Sequence, residues 1–169
     1  LGSAIRIMKE TGCDALKLEG GSPELIDTVR QLTTVGIPVV GHLGLTPQSV
    51  HQLGGYRLQG RDSAQASAIQ SQAEALERAG CCALVLEKVP ARLAAMIAQQ
   101  LSIPVIGIGA GADVDGQVLV SQDMLGMEES FSPKFLRRFG AVGVAIRQAT
   151  SDYIAAVKER SFPTIDESY

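Results

Sequence analysis

The sequence predicts an α/β fold of alternating strands and helices, a (β/α)8 barrel of which about five strands fall within the 169 residues. Three observations carry this. Short apolar runs alternate with amphipathic helical stretches. Several of the runs are apolar on both faces, as in a parallel sheet covered by helices. And the chain repeats itself. Gly12 through Glu19 matches Gly80 through Glu87 at an offset of 68 positions, and Ile37 through Gly41 matches Ile103 through Gly107 at an offset of 66. The nearly constant offset reads as two βα units, each of about 33 residues, and favours a parallel barrel over a Rossmann sheet. Residues 1–169 are expected to form one domain, with a C-terminal helical segment and tail over 132–169.

Strands are predicted at Cys13–Glu19, Ile37–His42, Ala83–Glu87, Val105–Ile108 and Gln117–Val120. Between them, Ser22-Pro23 places a capping hydroxyl before a proline at the first helical position, with Leu25, Val29 and Leu32 on one face and Gly36 as the stop. Ala66, Ile69, Ala73 and Leu76 form the next face, stopped by Gly80. Pro90 opens a helix carrying Leu93, Ile97 and Leu101. Ser132-Pro133 opens the C-terminal segment, and Val142, Ile146, Ala149, Tyr153 and Val157 form a last amphipathic face. Five strands do not close an eight-stranded barrel, and the chain opens with Leu1 directly in helical sequence. A fragment lacking about three upstream strands is therefore expected.

Composition narrows the function. The net charge is −3, and only Arg137 and Arg138 form a basic pair, so no nucleic-acid footprint is present. No apolar run reaches the roughly 18 residues that span a bilayer, and no signal peptide is evident. Cys13, Cys81 and Cys82 form no CxxC motif and read as reduced thiols of a cytoplasmic protein.

Polar residues gather where the strands end, the rim at which barrel enzymes place their chemistry. Lys17 and Glu19 lie two apart and share one strand face. Glu87 ends the repeat-related strand, His42 the one between, and Asp123 follows the last. Each has a plain structural reading as well: a solvated strand-end charge, a satisfied core histidine, a turn or cap aspartate. Taken together they suit a hard divalent cation bound through carboxylate oxygen, which polarises a 2-oxo acid, with a second, partly buried carboxylate as general base. Gly107–Gly111 follows a strand without matching GxGxxG, and reads equally as a ligand-approach turn or a tight βα turn. The stretch Gly54–Arg61 suits a loop over the mouth.

Five stretches together resemble the ketopantoate hydroxymethyltransferase family. They are Lys17-Leu18-Glu19-Gly20-Gly21, Pro38 through Ser49 with its GHLGLTPQS string, Gly54 through Arg61, Leu84-Val85-Leu86-Glu87, and Ile103 through Gly111. The resemblance implies a TIM barrel, assembled as a homodecamer, that transfers a hydroxymethyl group from 5,10-methylenetetrahydrofolate to 3-methyl-2-oxobutanoate with Mg2+. It implies Glu87 as general base, Lys17 and His42 as substrate-binding residues and Glu19 as a metal-site carboxylate. Two further metal-binding aspartates and a substrate-binding serine of the family find no counterpart motif in this chain, so the isolated chain is expected to be inactive. The competing expectations are another enolate-forming barrel of the isocitrate lyase type, and an inactive homologue kept as an assembly partner.

Overall fold

A computed structural model describes residues 1–169. Leu1–Val118 and Leu119–Tyr169 form two compact units. The first holds α1 (Gly2–Thr11), β1 (Leu16–Glu19), α2 (Pro23–Thr34), β2 (Val39–Gly44), α3 (Ser63–Arg78), β3 (Ala83–Glu87), α4 (Ala91–Gln100), β4 (Val105–Ile108) and β5 (Gly116–Gln117). Its five strands pair in sequence order and all in parallel, compatible with a segment of a barrel.

Two of the helices, α2 and α3, start where a side chain satisfies a free N–H group. The Ser22 hydroxyl accepts from Leu25 N–H at 3.3 Å, with Pro23 next in the chain, and Asp62 accepts from Gln65 N–H at 2.8 Å to open α3. The helical period then buries Val29 and Leu32 on α2, Ile69, Ala73 and Leu76 on α3, and Leu93, Ala94 and Ile97 on α4. These pack against Val39 and Leu43 of β2, Leu84 and Leu86 of β3, and Val105 of β4. Full burial of each such leucine contributes roughly 1.5–3 kcal/mol.

All those strand residues point to one face of the sheet. Strand alternation sends Lys17, Glu19, Val40, His42, Val85, Glu87, Ile106 and Ile108 to the other. On that second face Val40, Val85, Ile106 and Ile108 are only half-buried. Parallel sheets ordinarily have both faces covered.

Three strands differ from expectation at their ends. β1 starts at Leu16 rather than Cys13, because Gly12, at φ 66, caps α1 and Cys13 N–H turns to the Thr11 hydroxyl at 3.4 Å. β2 runs from Val39 to Gly44 rather than from Ile37 to His42. Pro38 has no N–H for the ladder, although its carbonyl accepts from Leu16 N–H at 3.0 Å. β5 stops at Gln117, because the Val120 carbonyl is taken by Met124 N–H at 2.9 Å and begins a helix.

The second unit holds α5 (Ser121–Met124) and α6 (Val142–Glu159). Ser132-Pro133 opens no helix: Pro133 starts a turn, with Leu136 N–H donating to its carbonyl at 3.0 Å. The Arg138 guanidinium organises this connection by donating to the carbonyls of Glu129 at 3.1 Å and Phe131 at 2.7 Å. On α6 the expected apolar period is present, yet Ile146, Tyr153 and Val157 remain exposed and only Gly143 is buried. No helix is long and apolar enough to cross a membrane.

Candidate functional site

Glu19, His42 and Glu87 stand side by side at the C-terminal ends of β1, β2 and β3. Parallel register sets Glu19 opposite His42, while Glu87 lies opposite Gly44, two residues beyond His42 and on the same face. The imidazole sits between the two carboxylates. Its Nδ1 lies 3.5 Å from Glu19 Oε1 and its Nε2 lies 3.3 Å from Glu87 Oε2. These distances are within ion-pair range but the groups are not aligned for hydrogen bonds, so both ring nitrogens are buried without a partner. His42 is 2% exposed, which makes those unsatisfied atoms costly. A neutral imidazole has one donor and one acceptor, so only the doubly protonated ring donates to both glutamates.

A close approach of two strand ends builds the row. A Cβ on Gly44 would lie 2.2 Å from the Glu87 carbonyl oxygen, and Gly44 itself has φ 90, so only glycine fits there. With that space open, Leu45 N–H donates to the Glu87 carbonyl at 2.8 Å. On the opposite side, Gln48 N–H donates to Glu19 Oε2 at 3.2 Å.

The other expected residues fall out differently. Lys17 is exposed on the same face as Glu19, one alternation back along β1, and the close contacts of both carboxylates go to His42 rather than to it. Asp123 lies in the first turn of α5, in the second unit, where its carbonyl accepts from Gly126 N–H at 3.1 Å. The Gly107–Gly111 turn has a packing explanation: a Cβ on Gly111 would come 2.4 Å from the Ala91 Cβ at the start of α4. Sequence reasoning missed Lys88, which adopts φ 48 and donates from Nζ to the Tyr56 carbonyl at 2.5 Å. It also missed the Gln48 amide, since a backbone donor carries no signal of residue type.

Magnesium favours about six oxygen ligands in near-octahedral array. No group of three or more His, Cys, Asp or Glu side chains converges to hold a metal ion. Glu19 and Glu87 are separated by the imidazole, and one Glu19 oxygen is engaged by Gln48. The residues of this chain do not by themselves fit a magnesium cradle.

The family model described as ketopantoate hydroxymethyltransferase matches residues 1–165. A 3-methyl-2-oxobutanoate hydroxymethyltransferase of Bacteroides fragilis is 56% identical over 169 residues, all of this chain and 62% of that protein. The protein of the same name from Salinibacter ruber is 53% identical, covering 100% of this chain and 63% of its own length. One from an Anaeromyxobacter species is 52% identical over 167 residues, 99% of this chain and 54% of its own length. The chain thus spans less than two thirds of the length of these relatives. The strand-end motifs behind the row of Glu19, His42 and Glu87 lie inside the matched residues, and the chain belongs to the ketopantoate hydroxymethyltransferase family.

Proposed function

We propose that this chain supplies the proton-transfer side of an active site that moves a hydroxymethyl group from 5,10-methylenetetrahydrofolate to 3-methyl-2-oxobutanoate, giving 2-dehydropantoate. The observation that carries it is the buried imidazole between two carboxylates at the ends of adjacent parallel strands. Sequential parallel pairing, with the charged row on the face the helices leave uncovered, supports a TIM barrel whose interior and C-terminal rim these residues line. The strands that complete the barrel, and the remaining ligands of a Mg2+ site that Glu19 joins, belong to the part of the relatives' length outside this chain.

The side chains present here divide the work as follows. Glu87 takes the proton from C3 of the oxo acid, which leaves the electron pair of that C–H bond to form the enolate. C3 then attacks the methylene carbon of the folate and a C–C bond forms. Both bonds from that carbon to the folate nitrogens break, and water supplies the new hydroxyl. The proton taken from C3, together with one from that water, protonates the two nitrogens of the departing tetrahydrofolate. His42 Nε2, 3.3 Å from Glu87 Oε2, is placed to share the proton that Glu87 accepts. Lys17, exposed on the same face, pairs with the substrate carboxylate. His42 also contacts substrate from the floor of the site, and Glu19 holds the ring from its other side. The working form is a homo-oligomer, a decamer on the family resemblance, in a reducing cytoplasm that keeps the three cysteines free.

The test is product formation from 3-methyl-2-oxobutanoate, with and without 5,10-methylenetetrahydrofolate. It compares the 169-residue chain alone with a protein that also carries the remainder of the relatives' length. The longer protein should form 2-dehydropantoate only with the folate, and the chain alone should form none. Folate-independent turnover of the oxo acid would instead favour an enolate-forming enzyme of the isocitrate lyase type. Absence of turnover in the longer protein would favour an assembly partner.

A further inference from the structure

The connection between β2 and α3, residues 45–62, is tied to both glutamate-bearing strands. Leu45 N–H donates to the Glu87 carbonyl at 2.8 Å, and Gln48 N–H donates to Glu19 Oε2 at 3.2 Å. Further along, Gln59 N–H donates to the Lys88 carbonyl at 2.9 Å, and Lys88 Nζ donates back to the Tyr56 carbonyl at 2.5 Å. Lys88 therefore grips the loop with its main chain and its side chain at once.

Packing anchors the start of this loop, where Leu45 and Thr46 are buried, but does little to hold residues 47–59, none of which is buried. A cavity of about 220 Å3 lies beside it, lined in part by Leu43, Thr46, Leu53, Gln59, Ile69 and Gln72. Tyr56 is 68% exposed. A segment with few buried apolar contacts opens easily, so its polar tethers decide where it rests. The backbone of Lys88 adds a second argument. At φ 48 a lysine is strained where glycine is not, so the side chain at this position must return something that glycine lacks. The ammonium contact to Tyr56 is what it returns.

We propose that Lys88 is a positioning residue whose ammonium clasps the 45–62 loop at Tyr56, holding the loop across the strand ends that carry Glu19 and Glu87. The clasp itself does not depend on what the glutamates do. Its effect on turnover rests on the proposed reading of Glu87 as base.

Trypsin cleavage after Arg57, an exposed loop residue, reports loop opening. Lys88→Met removes the ammonium and should raise the cleavage rate about five- to tenfold. Lys88→Gly removes the ammonium and the backbone strain together. It should raise cleavage by the same factor while its unfolding midpoint stays level or rises, a combination that general destabilisation does not produce. Lys88→Arg keeps a charged donor and should remain within about twofold of the unsubstituted protein. If Lys88→Met fails to fold, the glycine variant decides. In the longer protein, kcat/KM for the oxo acid should fall with the closed population. Unchanged cleavage in the glycine variant would overturn the clasp, and faster cleavage at unchanged kcat/KM would overturn the positioning role. Full turnover by Glu87→Gln would refute the proposed base and leave the clasp intact.

Discussion

Replacing Gly44 by alanine should damage both the fold and the row of charged residues beside it. The added Cβ would sit 2.2 Å from the Glu87 carbonyl oxygen and 2.8 Å from Val89 Cγ1. Gly44 also holds φ 90, a region that costs an L-residue about 1–2 kcal/mol. Relief of the contact means parting the ends of β2 and β3, which sacrifices the Leu45 N–H bond to the Glu87 carbonyl, worth about 1 kcal/mol. Overpacking adds about 1–3 kcal/mol. Together these give a loss of about 3–6 kcal/mol, or a fall in Tm of about 10–20 °C. Urea unfolding followed by circular dichroism measures it. Gly12→Ala is the control: Gly12 has φ 66 but nothing within 4 Å of a Cβ, so it incurs the conformational cost alone, about 1–2 kcal/mol. The site should suffer as well. The Glu87 carbonyl must shift by roughly 1 Å, a displacement that in an active site costs on the order of a hundredfold in rate. A Gly44→Ala protein with a stability loss no larger than that of Gly12→Ala would refute the argument that close approach of the two strands builds the site.

Two smaller perturbations test the surrounding structure. Asp62→Ala removes the acceptor for Gln65 N–H at the start of α3 and should cost about 1 kcal/mol, with Asp62→Asn close to neutral; equal unfolding midpoints for the three proteins would contradict the cap. Burial, helped by the neighbouring Cys82, pushes the Cys81 thiol up to about 11 from 9.0, so at pH 8 it holds about a hundredfold less thiolate than an ordinary cysteine. A disulfide reagent at that pH should label exposed Cys82 well before Cys81, which should react only on unfolding or as pH rises towards 11; early labelling of Cys81 would contradict its burial.

Much of this arrangement was legible in the residues, and what was not has physical reasons. β3 and β4 fall where their apolar runs predict: left-handed backbone at Lys88 ends β3, and Pro104 and Gly109 flank β4. β1, β2 and β5 were displaced at their ends by a helix cap, by a proline and by the start of the next helix, all of them competitions for single hydrogen bonds that periodicity does not register. The grouping of Glu19, His42 and Glu87 followed from strand alternation and from the internal repeat. Alternation could not reveal that the imidazole nitrogens would be buried and unpaired, since that depends on approach within a few ångströms. Lys88 was invisible because nothing in residue type marks a lysine in left-handed backbone. The exposed apolar face of α6 marks the same boundary: a period of 3.6 residues shows that a face is apolar, not what covers it.

The most direct measurement is exchange of the C3 hydrogen of 3-methyl-2-oxobutanoate with deuterated water, without folate, comparing Glu87→Gln with the unsubstituted protein in a form that carries the relatives' full length. General-base catalysis by Glu87 predicts that exchange falls by a factor of about 10²–10⁴ while the oxo acid still binds. Exchange at an undiminished rate would place the base elsewhere and contradict the account of the row of Glu19, His42 and Glu87.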